Sequence, residues 1–178
     1  MDWDAVRARL KAVTGGEEEF RPIFSTIGGI IAKNPRLGPK VFSVIDEFES
    51  AAAPSARVYE GAAELLSRLS ERALVSLVTM QGRKTASGIL EAHGLKRYFS
   101  GCFTREDSLD RARQLEMALS SMRADRDATV FVGDRLNDLD AAKKVGVPFV
   151  LVRTHGEDPE EGGFPVYHTL AEFAAALA

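Results

Sequence analysis

Apolar residues change their period along this chain near residue 54. Before that point the steps are helical. Trp3, Val6, Leu10 and Val13 predict a first helix, stopped by Gly15-Gly16. Phe20, Ile23, Phe24, Ile27 and Ile31 predict a second, with Pro22 tolerated in its opening turn, and Val41, Ile45, Phe48 and Ala52 mark a third. No strand pattern interrupts residues 2–53, so this stretch reads as a small helical unit. From Pro54 onward helix and strand alternate: a helix over 61–70 with Ala62, Leu65, Leu66 and Leu69 on one face, a strand over 74–79, and a helix over 84–92 closed by His93-Gly94. A short strand at Cys102-Phe103, a helix over 109–121, a strand over 128–132, a helix to Val145, a strand over 149–152 and a helix from Ala171 complete the series. Alternation of this kind predicts an α/β fold, a Rossmann-like parallel sheet with helices on both faces. Two units are expected, residues 1–53 and residues 54–178.

Length and charge narrow the possible functions. A chain of 178 residues suits one domain with a small added unit. Its formal charge of -3 offers no general surface for polyanions, which argues against nucleic acid as a main partner. Cys102 is the only cysteine, so an internal disulfide and a cysteine-based zinc site are excluded. The charged N-terminus lacks a signal-peptide apolar region and no apolar run approaches membrane-spanning length, so a soluble cytoplasmic protein without membrane contact is expected.

The chemistry concentrates at Val130-Phe131-Val132-Gly133-Asp134-Arg135-Leu136-Asn137-Asp138. A β-branched and aromatic run of this kind suits a strand buried on both faces, and Gly133 is expected to turn the backbone tightly behind it. Asp134 then stands at the strand's carboxyl end, where open α/β sheets bind ligands. Asn137 or Asp138 is expected to start the next helix, with Asp138 in its first turn, facing the same crevice. Two hard carboxylates with room for water and phosphate favour Mg²⁺, while plain helix capping is the simpler role for such acids. At the end of the 74–79 strand, the Thr79 hydroxyl and the N–H groups of Met80, Gln81 and Gly82 could hold phosphate oxygens, unless Thr79 merely finishes the strand. His93, His155 and His168 are too scattered for a ligand set. Ser108 has no evident base partner, so no serine nucleophile is expected. Arg153-Thr154-His155-Gly156 could line the crevice rim, and the acidic stretch from Gly156 to Gly163 reads as a solvated loop. Gly28-Gly29 reads as a hinge or as a site of close helix packing.

The strand ending in Thr79, the following helix and strand, and then Gly133-Asp134-Arg135-Leu136-Asn137-Asp138 with Ala141-Ala142-Lys143-Lys144-Val145-Gly146 resemble the haloacid dehalogenase-like superfamily, mainly phosphatases of Rossmann-like fold. The resemblance covers about residues 54–178, and the helical N-terminal segment resembles a small cap of that family. It implies Mg²⁺ held by Asp134 and Asp138, a phosphoryl group bound by Thr79, and a small phosphorylated molecule as substrate. The family's motif lysine has no counterpart in Thr104-Arg105-Glu106-Asp107-Ser108-Leu109-Asp110-Arg111-Ala112-Arg113. Arg111 is the preferred substitute and Arg113 the other, since a guanidinium binds phosphate in a bidentate fork.

The family's first motif, an apolar strand ending in Asp-x-Asp that supplies the nucleophile, is not found in this sequence. Asp2 and Asp4 have the spacing but begin an amphipathic helix, where acids favour capping. The first core strand is therefore expected to be missing, and no catalytic residue is assigned. In the family that strand lies between those ending at Thr79 and Asp134, so these two are expected either to close up and pair or to have the gap filled. Two functions follow: a Mg²⁺-dependent phosphatase in a longer form of the protein, the present chain being inactive, or a non-catalytic phosphate- or metal-binding module. Substrate and oligomeric state are not encoded legibly.

Overall fold

A computed structural model describes residues 1–153 and 162–177. Its first three helices are α1 (Trp3–Thr14), α2 (Ile23–Lys33) and α3 (Gly38–Ala52), and they bury Val6, Leu10, Phe20, Ile27, Val41 and Ile45 against one another. Asp2 caps α1, its carboxylate accepting the N–H groups of Asp4 at 3.1 Å and Ala5 at 3.0 Å, so the Asp2-Trp3-Asp4 run is a helix start. The second helix begins at Ile23, three residues later than its apolar pattern predicts. Pro22 bars the residue before it from helical geometry, and Phe20 sits at φ 52° with its ring fully buried. α2 runs unbroken through Gly28 and Gly29. A Cβ on Gly28 would only graze Leu109 at 3.9 Å and one on Gly29 would meet nothing, so close packing does not require the pair.

The remainder alternates as expected: α4 (Ala62–Ser70), β1 (Ser76–Val78), α5 (Arg83–Ala92), β2 (Gly101–Phe103), α6 (Arg111–Met122), β3 (Phe131–Gly133), α7 (Leu136–Val145), β4 (Phe149–Val152), β5 (Val166–Tyr167) and α8 (Leu170–Ala176). Every described strand pair is parallel. β4 organises the core. Its residues alternate faces, Phe149 and Leu151 packing with Leu115, Leu119, Leu139 and Val145 of α6 and α7, while Val150 and Val152 pack with Leu65 of α4 and Phe173 of α8. Helices thus cover both faces, the α/β arrangement that the alternation predicts.

Other boundaries also differ from expectation. β1 starts at Ser76, leaving Leu74 63% exposed, and β3 is shifted to Phe131–Gly133 because Arg126–Ala128 form a 3₁₀ turn. α7 starts at Leu136, and Asp138 is its third residue. β3 is also not buried on both faces, since Val130 and Val132 are 54% and 40% exposed.

The sheet explains that exposure, because it comes in two parts, β1–β2 and β3–β4–β5. Among the described residues β1 and β3 are not paired with each other, so the alternative in which they close up is not the one observed. Val75 and Thr79 direct their backbone groups to β2, accepting from Ser100 N–H and donating to Phe103 C=O, each at 2.8 Å. Val78, one step out of phase, therefore directs its carbonyl away from β2.

Candidate functional site

The carboxyl ends of β1 and β3 carry the residues singled out from the sequence. Thr79 follows β1, and its Oγ1 accepts the N–H of Gln81 at 3.1 Å while its own hydroxyl hydrogen stays available. Two of the three N–H groups expected to face phosphate are already engaged: Gln81 by Thr79, and Gly82 by Glu49 Oε2 at 2.9 Å. Asp134 follows β3, with a side chain 72% exposed and 3.7 Å from the Nε of Arg135.

Asp138 is the buried member of the pair, 8% exposed at its side chain. Gly133 matters to it for a reason other than a turn: a Cβ there would stand 2.6 Å from Asp138 Cβ and 2.8 Å from its Oδ2. Burial pushes the Asp138 carboxyl above the usual aspartate range, a shift opposed by Arg111 and reinforced by Asp134. Burial likewise lowers the Arg111 guanidinium, with Asp138 and Asp134 opposing that shift.

Arg111 joins the two parts of the sheet. Asp110 caps α6, accepting the N–H of Ala112 at 2.8 Å, and this puts Arg111 on the first turn facing the strand ends. Its Nη1 donates to Val78 C=O at 2.8 Å and its Nε lies 3.3 Å from Asp138 Oδ1. Arg113, the other candidate, points to solvent and pairs with Glu116 at 3.0 Å.

Among the described residues no three His, Cys, Asp or Glu side chains gather as a ligand set. Asp134 and Asp138 nevertheless fit Mg²⁺ in donor type and number, since that ion accepts one or two carboxylates and completes its shell with water and phosphate. Ser108 Oγ accepts the N–H of Asp110 at 3.0 Å, a local turn contact. His93 closes α5 and His168 precedes α8, far apart in sequence and on different elements. His155 and the Thr154-His155-Gly156 rim lie outside the described residues, as does most of the acidic stretch after Gly156.

Three residues that the sequence reading missed shape the site. Gln114, fully buried, donates from Nε2 to Thr79 C=O at 3.0 Å and to Ser108 C=O at 2.9 Å. Glu49 and Arg105 pair at 2.7 Å with side chains 3% and 1% exposed. Gln114 and Glu49 each interrupt an apolar helical stripe, next to Leu115 and Ala118 or four residues after Ile45, and that interruption was the available signal.

Comparison with known proteins bears on the fold and the family. A phosphoglycolate phosphatase of Synechococcus elongatus is 28% identical over 100 residues, 56% of this chain and 47% of that protein. The chain spans about half the length of the curated relatives it matches. Among solved structures, a HAD phosphatase from Thermococcus onnurineus superposes with a TM-score of 0.67 at 22% identity, covering 98% of this chain and 87% of the other. The HAD-hydrolase YfnB from Bacillus subtilis, solved bound to magnesium, gives 0.64 at 15% identity with 99% and 93% coverage. The model of the haloacid dehalogenase-like hydrolases matches residues 21–152, most of the sequence, and with the two-sided parallel α/β core this places the chain in that family.

Proposed function

We propose that residues 54–178 are the core and residues 1–53 the cap of a Mg²⁺-dependent phosphatase for a small phosphorylated metabolite, whose nucleophilic aspartate stands on a strand preceding this sequence. The observation that carries the reading is Arg111, a guanidinium spanning 2.8 Å to Val78 C=O and 3.3 Å to Asp138 where the carboxyl ends of β1 and β3 approach each other. In this reading the Thr79 hydroxyl and Met80 N–H donate to phosphate oxygens, and Arg111 balances the phosphate charge. Asp134 and Asp138 hold Mg²⁺, which when bound orients and polarises the phosphoryl group. The unpaired sides of β1 and β3 are where the additional strand would seat. The 178 residues alone are then expected to bind phosphate with little or no turnover.

One observation favours a second reading, a non-catalytic phosphate- or metal-binding module: Arg111 already neutralises Asp138, so the site is balanced without a metal. The two separate by experiment. The DNA upstream of Met1 is inspected for an in-frame apolar strand ending in Asp-x-Asp, the lengthened protein is expressed, and hydrolysis of p-nitrophenyl phosphate is followed with Mg²⁺. Turnover that collapses in Asp134→Asn supports the phosphatase, whereas no turnover, or turnover indifferent to that change, rejects it.

A further inference from the structure

The loop after β1 is held from two sides, and one of them belongs to the three-helix unit. Glu49, near the end of α3, accepts the N–H of Gly82 at 2.9 Å through Oε2 and a hydrogen bond from Arg105 Nη1 at 2.7 Å through Oε1. The same Nη1 donates to Met80 C=O at 3.2 Å, and the Nη2 of Arg105 pairs with Asp46, one turn earlier on α3. From the core side Gln114 holds Thr79 C=O. Backbone groups of Thr79, Met80 and Gly82 are therefore each fixed by a buried side chain. The fit is close: a side chain on Gly82 would collide with the Arg105 guanidinium.

A buried ion pair is unfavourable unless both partners are fully hydrogen-bonded, and here the remaining bonds go to this loop and to Asp46 of α3. Leu109 adds an apolar contact, packing from the core against the cluster of α1–α3. We propose that Glu49 is a positioning residue: through Arg105 it makes the seating of the three-helix unit and the conformation of the Thr79–Gly82 loop a single coupled equilibrium. Phosphate binding at Thr79 then stabilises the seated unit, and unseating it weakens phosphate binding by the same factor. This second part rests on the phosphate reading of Thr79, and the first does not.

The test follows amide exchange by NMR in the full chain, with and without inorganic phosphate and Mg²⁺. Glu49→Gln keeps the shape but serves only one of the two donors. The double variant Glu49→Leu/Arg105→Met removes both charges together, so no stray buried charge unfolds the protein. Gly82 exchange is expected to accelerate by at least about tenfold in the double variant and by less in Glu49→Gln, while the Leu151 amide, bonded to Pro165 C=O at 3.0 Å, keeps its native rate. Phosphate affinity is expected to fall by about fivefold or more in the double variant, and phosphate to slow Gly82 exchange in the native chain. Native exchange at Gly82 in the double variant, or equal acceleration at Leu151, overturns the positioning role. If phosphate binds neither native nor variant chain, the phosphate reading and the coupling fall, and the Gly82 to Leu151 contrast still decides the first part.

Discussion

Replacing Gln114 with Met isolates the contribution of a single carboxamide beneath Thr79. Gln114 is fully buried, and among the described residues its Nε2 is the donor to Ser108 C=O and to Thr79 C=O, at 2.9 Å and 3.0 Å. Its Oε1 is buried without a hydrogen-bond partner among the described residues. Met matches the length of the side chain and fills the space, so no sizeable cavity forms. Two carbonyls then lose their donor, at about 1–3 kcal/mol each, while deletion of the orphan Oε1 returns about 1–3 kcal/mol. The net loss is roughly 1–3 kcal/mol. At about 2–4 °C per kcal/mol for a chain of this size, Tm falls by about 2–12 °C. Thermal melts followed by far-UV circular dichroism measure it, with Trp3 fluorescence as the second probe, since this is the only tryptophan and lies in α1. A Tm unchanged within about 1 °C would mean that the two carbonyls do not depend on Gln114, and the reasoning would fail.

Further perturbations test other parts of the structure. Leu151→Ala in β4, where the side chain is fully buried between the helices and the sheet, is expected to destabilise by about 2–5 kcal/mol in urea unfolding; a loss under about 1 kcal/mol would contradict the placement of the core. Burial raises the Asp107 carboxyl, but the Thr104 N–H at 2.8 Å, Arg83 at 2.7 Å and the Thr104 hydroxyl at 3.0 Å outweigh it and hold it below the usual range. Its contribution is therefore complete above the unfolded value of about 4 and is lost as pH falls through the depressed folded value, so native and Asp107→Asn proteins should differ in stability at pH 6 and converge near pH 2. Arg111→Met removes the charge that opposes burial at Asp138, and a carbon-13 titration of that carboxyl should move upward; an unmoved titration would show that Arg111 does not act on it.

What could be read from the sequence follows the strength of local patterning. β4 was legible because Phe149-Val150-Leu151-Val152 is a continuous apolar run, and all four residues are buried. The Asp2 cap, the parallel alternation and the carboxyl-end locations of Thr79 and Asp134 were legible for the same reason, each being a neighbour effect. The start of β3 was misjudged because Arg126–Ala128 form a turn stabilised by Thr129, whose hydroxyl bonds Asp125 C=O at 2.7 Å, and such a turn leaves no apolar signature. β5 has two residues, too few for a period. The Glu49–Arg105 pair joins positions 56 residues apart, and the Arg111 contact with Val78 joins positions 33 apart. Spacing within one helix or strand carries no information about such distant meetings.

The two-part sheet also bears on how the chain behaves in a crowded solution. β1 and β3 each offer one side of backbone donors and acceptors unmatched by a described strand, and Val130 and Val132 stand exposed along the second of them. Such an edge does not discriminate strongly among extended peptides, since its hydrogen bonds are made to main chain common to all of them. A strand that fills the opening would match these backbone groups and cover both valines.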